Sequence, residues 1–389
     1  MRVFIDGGTV MSDLFRDARR ALDFEEPEES EALVAGEVGV LERAVSEAQP
    51  LDADADVPRA APSPPASPPE SAAVGLSGPA RGKLIRPGAT ERVRARWGWQ
   101  GFMVRASGGV VRLRPGPGEQ RFLDDERVIR QATWSRAVNI LVGNKTGAVG
   151  KTTSSIVLAG VLGRVRGGAT AAFEVSDATG ALEKRAEGSP TRGMGELVRA
   201  AERVASAGEL AGYAAPQTSL AHMIGSVHDR PVLTGQDVRA AREVLDRYYL
   251  VTVADSGNNP HSDAFGAAVE TADVLVVPTL LSSVAVLDAF DLLDVVSRRG
   301  EHGARLAESA VVVINHDGRP EDKDAARRAR EQLARLCEVI PTVDVLEVPY
   351  DPHIGRGGEI TLGSLSRDSE RAWTRVAATA TRKLLENVN

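Results

Sequence analysis

From Ala137 onward, short Val/Ile/Leu runs alternate with longer segments of helical period. The runs are VNILVG, ATAAFEV, YYLVTVAD, ADVLVVPT, AVVVIN and VDVLEVP, each followed by a stretch that reads as helix. Runs this short, with no polar alternation, are strands buried on both faces, and crossover helices covering both faces imply a parallel sheet. The pattern predicts an α/β fold with a doubly wound, mostly parallel sheet over residues 137–389.

The first run opens directly into GNKTGAVGKTTS, residues 143–154, and then into a helix carrying Ile156, Val157, Ala159, Leu162 and Val165. Glycines let backbone amides curl round a polyphosphate, and the helix N-terminus adds the positive end of its dipole. At this register Lys151 reaches the β- and γ-phosphates and Thr152 ligates Mg²⁺. The strict GxxxxGK[ST] pattern is not met, because Lys145 stands where its first glycine would be. Asp255 closes YYLVTVAD at the C-terminal end of a buried strand, the edge at which parallel sheets bind ligands, and can hold Mg²⁺ through water.

In this register TGAVGKTT resembles the deviant Walker A loop, KGGxGKTT, of the ParA/MinD family of P-loop ATPases. The likeness continues in the family's order. YYLVTVADSGNN resembles its Walker B strand and switch II, and ADVLVVPTLLSSVAVLDAFDLL its next strand–helix unit. VVVINHDGR resembles the strand whose terminal Asn contacts adenine, and VPYDPHIGRGGEI the adenine-covering loop. The resemblance implies ATP and Mg²⁺ as cofactors. It places Gly147, Ala148, Val149, Gly150, Lys151, Thr152 and Thr153 round the phosphates, Asn315, Pro349 and Asp351 at the base, and Thr152 and Asp255 at the metal.

Where family members carry DxD at switch I, this chain reads FEVSDATGAL. Hydrolysis needs a group that orients water in line with the γ-phosphate. Asp177 is the first candidate and Glu174 the second; the alternative is that both only cap the following helix. The family's signature lysine, which reaches the nucleotide of a partner subunit in an ATP-bound dimer, has Thr146 at its position and Lys145 one residue before it. Either Lys145 takes that role after a small backbone shift, or the contact is absent.

The rest of the chain differs in composition. Residues 1–80 hold 16 acidic and 6 basic residues, including a Pro/Ala/Ser tract with too little apolar content to offset chain entropy, and are expected to be largely disordered. A short strand from Arg2 to Ile5 and an amphipathic helix carrying Met11, Leu14, Phe15, Ala18 and Leu22 are expected at the start. Residues 81–136 form a basic neck with 13 basic and 5 acidic residues and with Trp97, Trp99 and Phe102 among its arginines. Such indoles can stack on bases, sit at a membrane surface, enter a partner, or pack on the main domain. One cysteine, Cys337, excludes an internal disulfide, and the six histidines show no HExxH spacing. No run approaches the roughly 20 apolar residues of a membrane span, and Arg2 and Asp6 interrupt the start, so the expected location is cytoplasmic.

The resemblance implies a slow ATP hydrolase acting as a switch, with an ATP-dependent homodimer. One branch of the family positions plasmids, chromosomes or other cargo by nonspecific DNA binding, which would make the protein nucleoid-associated. Arg327, Arg328, Arg330 and Arg335, with Arg367, Arg371, Arg375 and Arg382, are the residues that would contact phosphates. The other branch is suggested by the acidic, Pro-rich head and the GWxG-type neck, which resemble EspI-like ATPases of actinobacterial type VII secretion and related conjugative plasmid proteins. That reading implies a regulatory ATPase docking on an adaptor or assembly protein through its N-terminal region.

Overall fold

The computed structural model describes residues 94–108 and 110–388. The strand and helix expected before residue 25, the acidic Pro-rich stretch and the first part of the neck lie outside the described residues.

Helices α1 (Gly98–Ala106) and α2 (Pro117–Gln131) precede β1 (Val138–Val142), α3 (Lys151–Arg166) and β2 (Thr170–Glu174). Three short helices follow, α4 (Leu182–Arg185), α5 (Met194–Ala200) and α6 (Ala207–Ala211), then β3 (Ala215–Pro216), β4 (Ala221–Ile224) and α7 (Gly235–Asp246). The chain continues through β5 (Val251–Asp255), α8 (Asp263–Thr271), β6 (Val274–Thr279), α9 (Ser283–Ser297) and α10 (Gly300–Glu308). It ends with β7 (Val311–Ile314), α11 (Lys323–Val339), β8 (Asp344–Glu347), α12 (Pro352–Gly355) and α13 (Arg367–Val388).

One eight-stranded sheet has the order β3-β4-β2-β5-β1-β6-β7-β8. Every pairing is parallel except β3 with β4 at one edge. Successive side chains of a strand point to opposite faces, and here both faces are covered. In β1, Leu141 packs with α8 and α9 on one face, while Val138, Ile140 and Val142 pack with α3 and α13 on the other. The fold is therefore the doubly wound α/β sheet expected from the alternating runs.

The two additional strands lie between Leu210 and Tyr248, where the sequence shows no apolar run. β4 is only AHMI, too short for a period to register, and it is a strand because Thr170–Phe173 of β2 offer it a backbone ladder. Leu220 turns the chain into it in the left-handed region, with φ of 66°.

Register sets the functional edge. Val142 and Glu174 both pair with Asp255, so the C-terminal ends of β1, β2 and β5 stand level. β1 is also where the chain divides the sheet, with β5 and β2 on one side and β6 to β8 on the other. Crevices at such switch points are the binding places of open α/β sheets. The N-terminal helices pack on the same body: Ile129 of α2 enters the core beneath α13, and Arg382 pairs with Asp125 at 2.7 Å. Arg166 donates to the Ile129 and Ala132 carbonyls at 2.8 and 3.0 Å and lies over the Trp134 ring.

Candidate functional site

After Val142 the Gly143 amide still donates to Val276, and then the chain leaves the sheet. Asn144 braces the exit: its amide donates to the Pro278 carbonyl at 2.7 Å and its oxygen accepts from the Thr146 amide at 3.0 Å. The loop closes through Ala148 and Gly150, both left-handed at φ of 60° and 91°. A side chain at Gly150 would also come within 2.8 Å of the Asn315 amide, so glycine is required there on two counts. The loop enters α3 with no side-chain cap, which leaves the first-turn amides open to an anion.

Lys151 folds back over this loop. Its ammonium donates to the Thr146 carbonyl at 2.7 Å and to the Asn258 side-chain oxygen. Burial pushes it down to about 8, against the pull of Asp255 and Asp288. A buried cation with carbonyl-type partners gains most from an arriving polyphosphate. Beside it, Asp255 accepts from the Thr152 and Ser155 hydroxyls, both at 2.8 Å. Burial pushes the Asp255 carboxyl up to about 6, and the Glu174 charge adds to the shift while the two hydroxyls and Lys151 oppose it.

Among the described residues no cluster of three or more His, Cys, Asp and Glu is placed to hold a metal. One carboxylate with hydroxyls, beside the uncapped start of α3, is nevertheless a donor set that suits Mg²⁺, which takes its remaining ligands from phosphate and water. Thr152 and Asp255 would hold it.

A cavity of about 730 Å³ opens over these groups. The loop from Ala148 to Thr153 forms one wall, Ser176–Ala181 a second, and Asp255–Asn259 a third. Asp177 lies in the second wall, with its carboxylate accepting from the Ala178 amide at 3.1 Å and facing the Asn259 amide at 3.5 Å. Glu174 does not line the cavity. It is fully buried beneath the loop, paired with Arg230 at 2.6 Å and accepting from the Ser226 hydroxyl at 2.6 Å. The Arg230 side chain, 2% exposed, also donates to the carbonyls of Ser176 at 2.7 Å and Ala178 at 3.0 Å, and so fixes the backbone that carries Asp177. The sequence shows no sign of this arginine, which lies in a loop with neither period nor motif.

A second cavity, of about 220 Å³, shares Ala148, Gly150, Thr153 and Arg185 with the first. Asn315, Pro349 and Asp351 all line it. Asn315 uses its amide nitrogen on the Val149 carbonyl at 2.8 Å, so the group it turns to a ligand is its acceptor oxygen. Asp351 caps α12 and holds the following segment, accepting from the amides of His353 at 2.9 Å and Ser366 at 2.8 Å. Its role there is to shape the loop. Arg185 was not singled out by the sequence; it donates to the Ile354 carbonyl at 3.1 Å and leaves its Nε buried without a partner at the border of both cavities.

Lys145 points away from Lys151, toward α9. Its ammonium lies 2.8 Å from Asp291 and 3.5 Å from Asp288, both on α9. Thr146 donates to the same Asp288 at 2.6 Å. Burial works against the Lys145 charge, but the two carboxylates outweigh it and the net shift is upward. Lys145 and Thr146 are thus both held by carboxylates of the same chain.

No protein-family model and no curated protein matches the chain. Among solved structures it is similar to apo McdA of Cyanothece, at 17% identity over 64% of this chain and 99% of that one, with a TM-score of 0.45. A ParA family ATPase of Chlorobium tepidum TLS is 14% identical over 65% and 98%, with a TM-score of 0.46. The septum site-determining protein MinD of Pyrococcus horikoshii OT3, complexed with Mg-ADP, is 17% identical over 62% and 94%, with a TM-score of 0.44.

Proposed function

We propose that the protein is a slow Mg²⁺-dependent ATPase that works as a nucleotide switch. The observation that carries the reading is the contact of Thr152 with Asp255 directly beside the buried ammonium of Lys151, at the open N-terminus of α3. In this reading the loop amides and Lys151 bind the phosphates, and Thr152 and Asp255 hold Mg²⁺, which neutralises charge on the transferring phosphoryl group when bound. Asp177 orients the attacking water from a loop fixed by Arg230. Asn315 accepts a hydrogen bond from the base. Pro349 and the loop shaped by Asp351 cover it.

The ATP state is a homodimer, and Lys145 must leave Asp288 and Asp291 if it is to reach a partner's nucleotide. Its output is the positioning of DNA or other cargo through nonspecific phosphate contacts, for which Arg335, Arg367 and Arg375 are exposed. A second reading, a regulatory ATPase docking on a secretion or conjugation assembly through its N-terminal region, is favoured by the pairing of other arginines. Arg327 and Arg330 bond to Glu331 and Glu347, Arg371 covers Trp97, and Arg382 holds Asp125.

Titrating ATP by calorimetry with and without Mg²⁺ tests the site; no binding in either condition refutes it. DNA binding measured against salt with ATP, ADP and no nucleotide separates the two outputs. ATP-dependent, salt-sensitive binding supports the first, and none in any state supports the second.

A further inference from the structure

The N-terminal helix α1 is fixed with unusual care for an element that joins no part of the candidate ATP site. The amides of Arg96 and Trp97 donate to the buried carboxylate of Glu119 at 2.8 and 3.3 Å. The Trp97 ring sits between Phe122, at 4.9 Å, and the guanidinium of Arg371, at 4.2 Å. Val104 and Gly101 face inward, and Gly101 approaches the Arg96 backbone so closely that a side chain there would come within 2.2 Å of it. The opposite face carries Trp99, Phe102 and Met103, which are 68%, 62% and 43% exposed, together with exposed Ala106. At 100° per residue these four positions fill one arc of about 100° with no charged group in it.

The segments flanking the arc in sequence are basic. Arg96, Arg105, Arg112, Arg114 and Arg121 are all exposed. Between residues 94 and 121 the one acidic residue is Glu119, which is buried. We propose that the Trp99–Phe102–Met103 face of α1 docks on an anionic lipid surface, with the apolar arc entering the headgroup–acyl boundary and the arginines meeting lipid phosphates. An apolar helical face that carries Trp and Phe and lies next to Arg-rich segments is the pattern of helices that lie in a membrane interface. Nucleic acid fits less well, because Met103 and Ala106 offer no ring for a base to stack on. The proposal does not depend on the nucleotide reading.

The full chain should sediment with vesicles of phosphatidylcholine and phosphatidylglycerol but not with phosphatidylcholine alone. Trp99→Ser with Phe102→Ser should lower the bound fraction at least tenfold at equal lipid. Arg105→Gln, Arg112→Gln and Arg114→Gln together should weaken binding and flatten its salt dependence. All substituted residues are exposed, so thermal unfolding should be unchanged and serves as the control for folding. Absence of binding to the anionic vesicles, or binding unaffected by the Trp99/Phe102 change, overturns the proposal. So does a double variant that keeps its lipid binding but loses DNA binding or self-association, since the face would then serve nucleic acid or a second copy.

Discussion

Replacing Arg230 by Met should destabilise the protein by about 3–5 kcal/mol, the range for removing one partner of a buried ion pair. The magnitude follows from the surroundings of Glu174. Its carboxylate is fully buried, Oε1 receives Arg230 and Ser226 at 2.6 Å each, and Oε2 has no hydrogen-bond partner. Without the guanidinium the charge keeps one hydroxyl donor, the Ser176 carbonyl loses the Arg230 donor, and the Ala178 carbonyl keeps the Ser176 hydroxyl. Glu174→Gln should cost less, because the Arg230 guanidinium keeps an amide oxygen and the Ser176 and Ala178 carbonyls as acceptors. Combining it with Arg230→Met should then recover part of the loss, a coupling of about 1–3 kcal/mol. Urea unfolding of the four proteins, compared at equal m-values, measures the cycle. A double variant no more stable than Arg230→Met alone would refute the reasoning. A second readout reaches the site itself: the Glu174 charge adds to the burial that lifts Asp255 to about 6, so Glu174→Gln should lower that value.

Lys151→Ala should abolish ATP binding in calorimetry, since it removes the ammonium that lies over the phosphate loop; unchanged affinity would refute the assignment. ATP affinity should fall as pH rises through about 8, where the lysine loses the charge that burial already disfavours. The Mg²⁺-dependent part should fall as pH drops below about 6, where Asp255 takes a proton, and a profile without either limb would count against both groups. Asp255→Asn should leave the ligand-free protein folded and at least as stable at neutral pH, because it removes a carboxylate whose charge burial disfavours, while Mg²⁺-dependent nucleotide binding is lost. Asp288→Asn with Asp291→Asn should raise the ATP-dependent dimer fraction in sedimentation if Lys145 acts in trans, and a further Lys145→Ala should reverse it; no change in either would show that the lysine serves its own subunit alone.

What could be read from the chain, and what could not, divides by the distance over which the physics acts. The phosphate loop is legible because its requirements are contiguous: two left-handed positions, a lysine and a hydroxyl fall within a few residues of a buried strand's end. Asp255 is legible for the same reason, since ending a parallel strand is itself a statement about which edge a side chain faces. The groups that set the chemistry of those residues are not contiguous. Glu174 reads as a switch residue from its place at the end of β2, but its partner Arg230 lies 56 positions away in an irregular loop, and the two meet because β2 and β4 are neighbours. β4 itself was unreadable at four residues. Lys145 looks like an outward-reaching cation until α9 is folded against the loop and presents Asp288 and Asp291 one helical turn apart. The arginines of α13 follow the same logic: their spacing suggests a phosphate-binding face, and the packing of α1 and α2 gives Arg371 and Arg382 a different task. Local pattern thus locates a site, while the pairing of its charges depends on sheet order. Which carboxylate each cation would have to leave is therefore fixed by the fold and not by the local pattern.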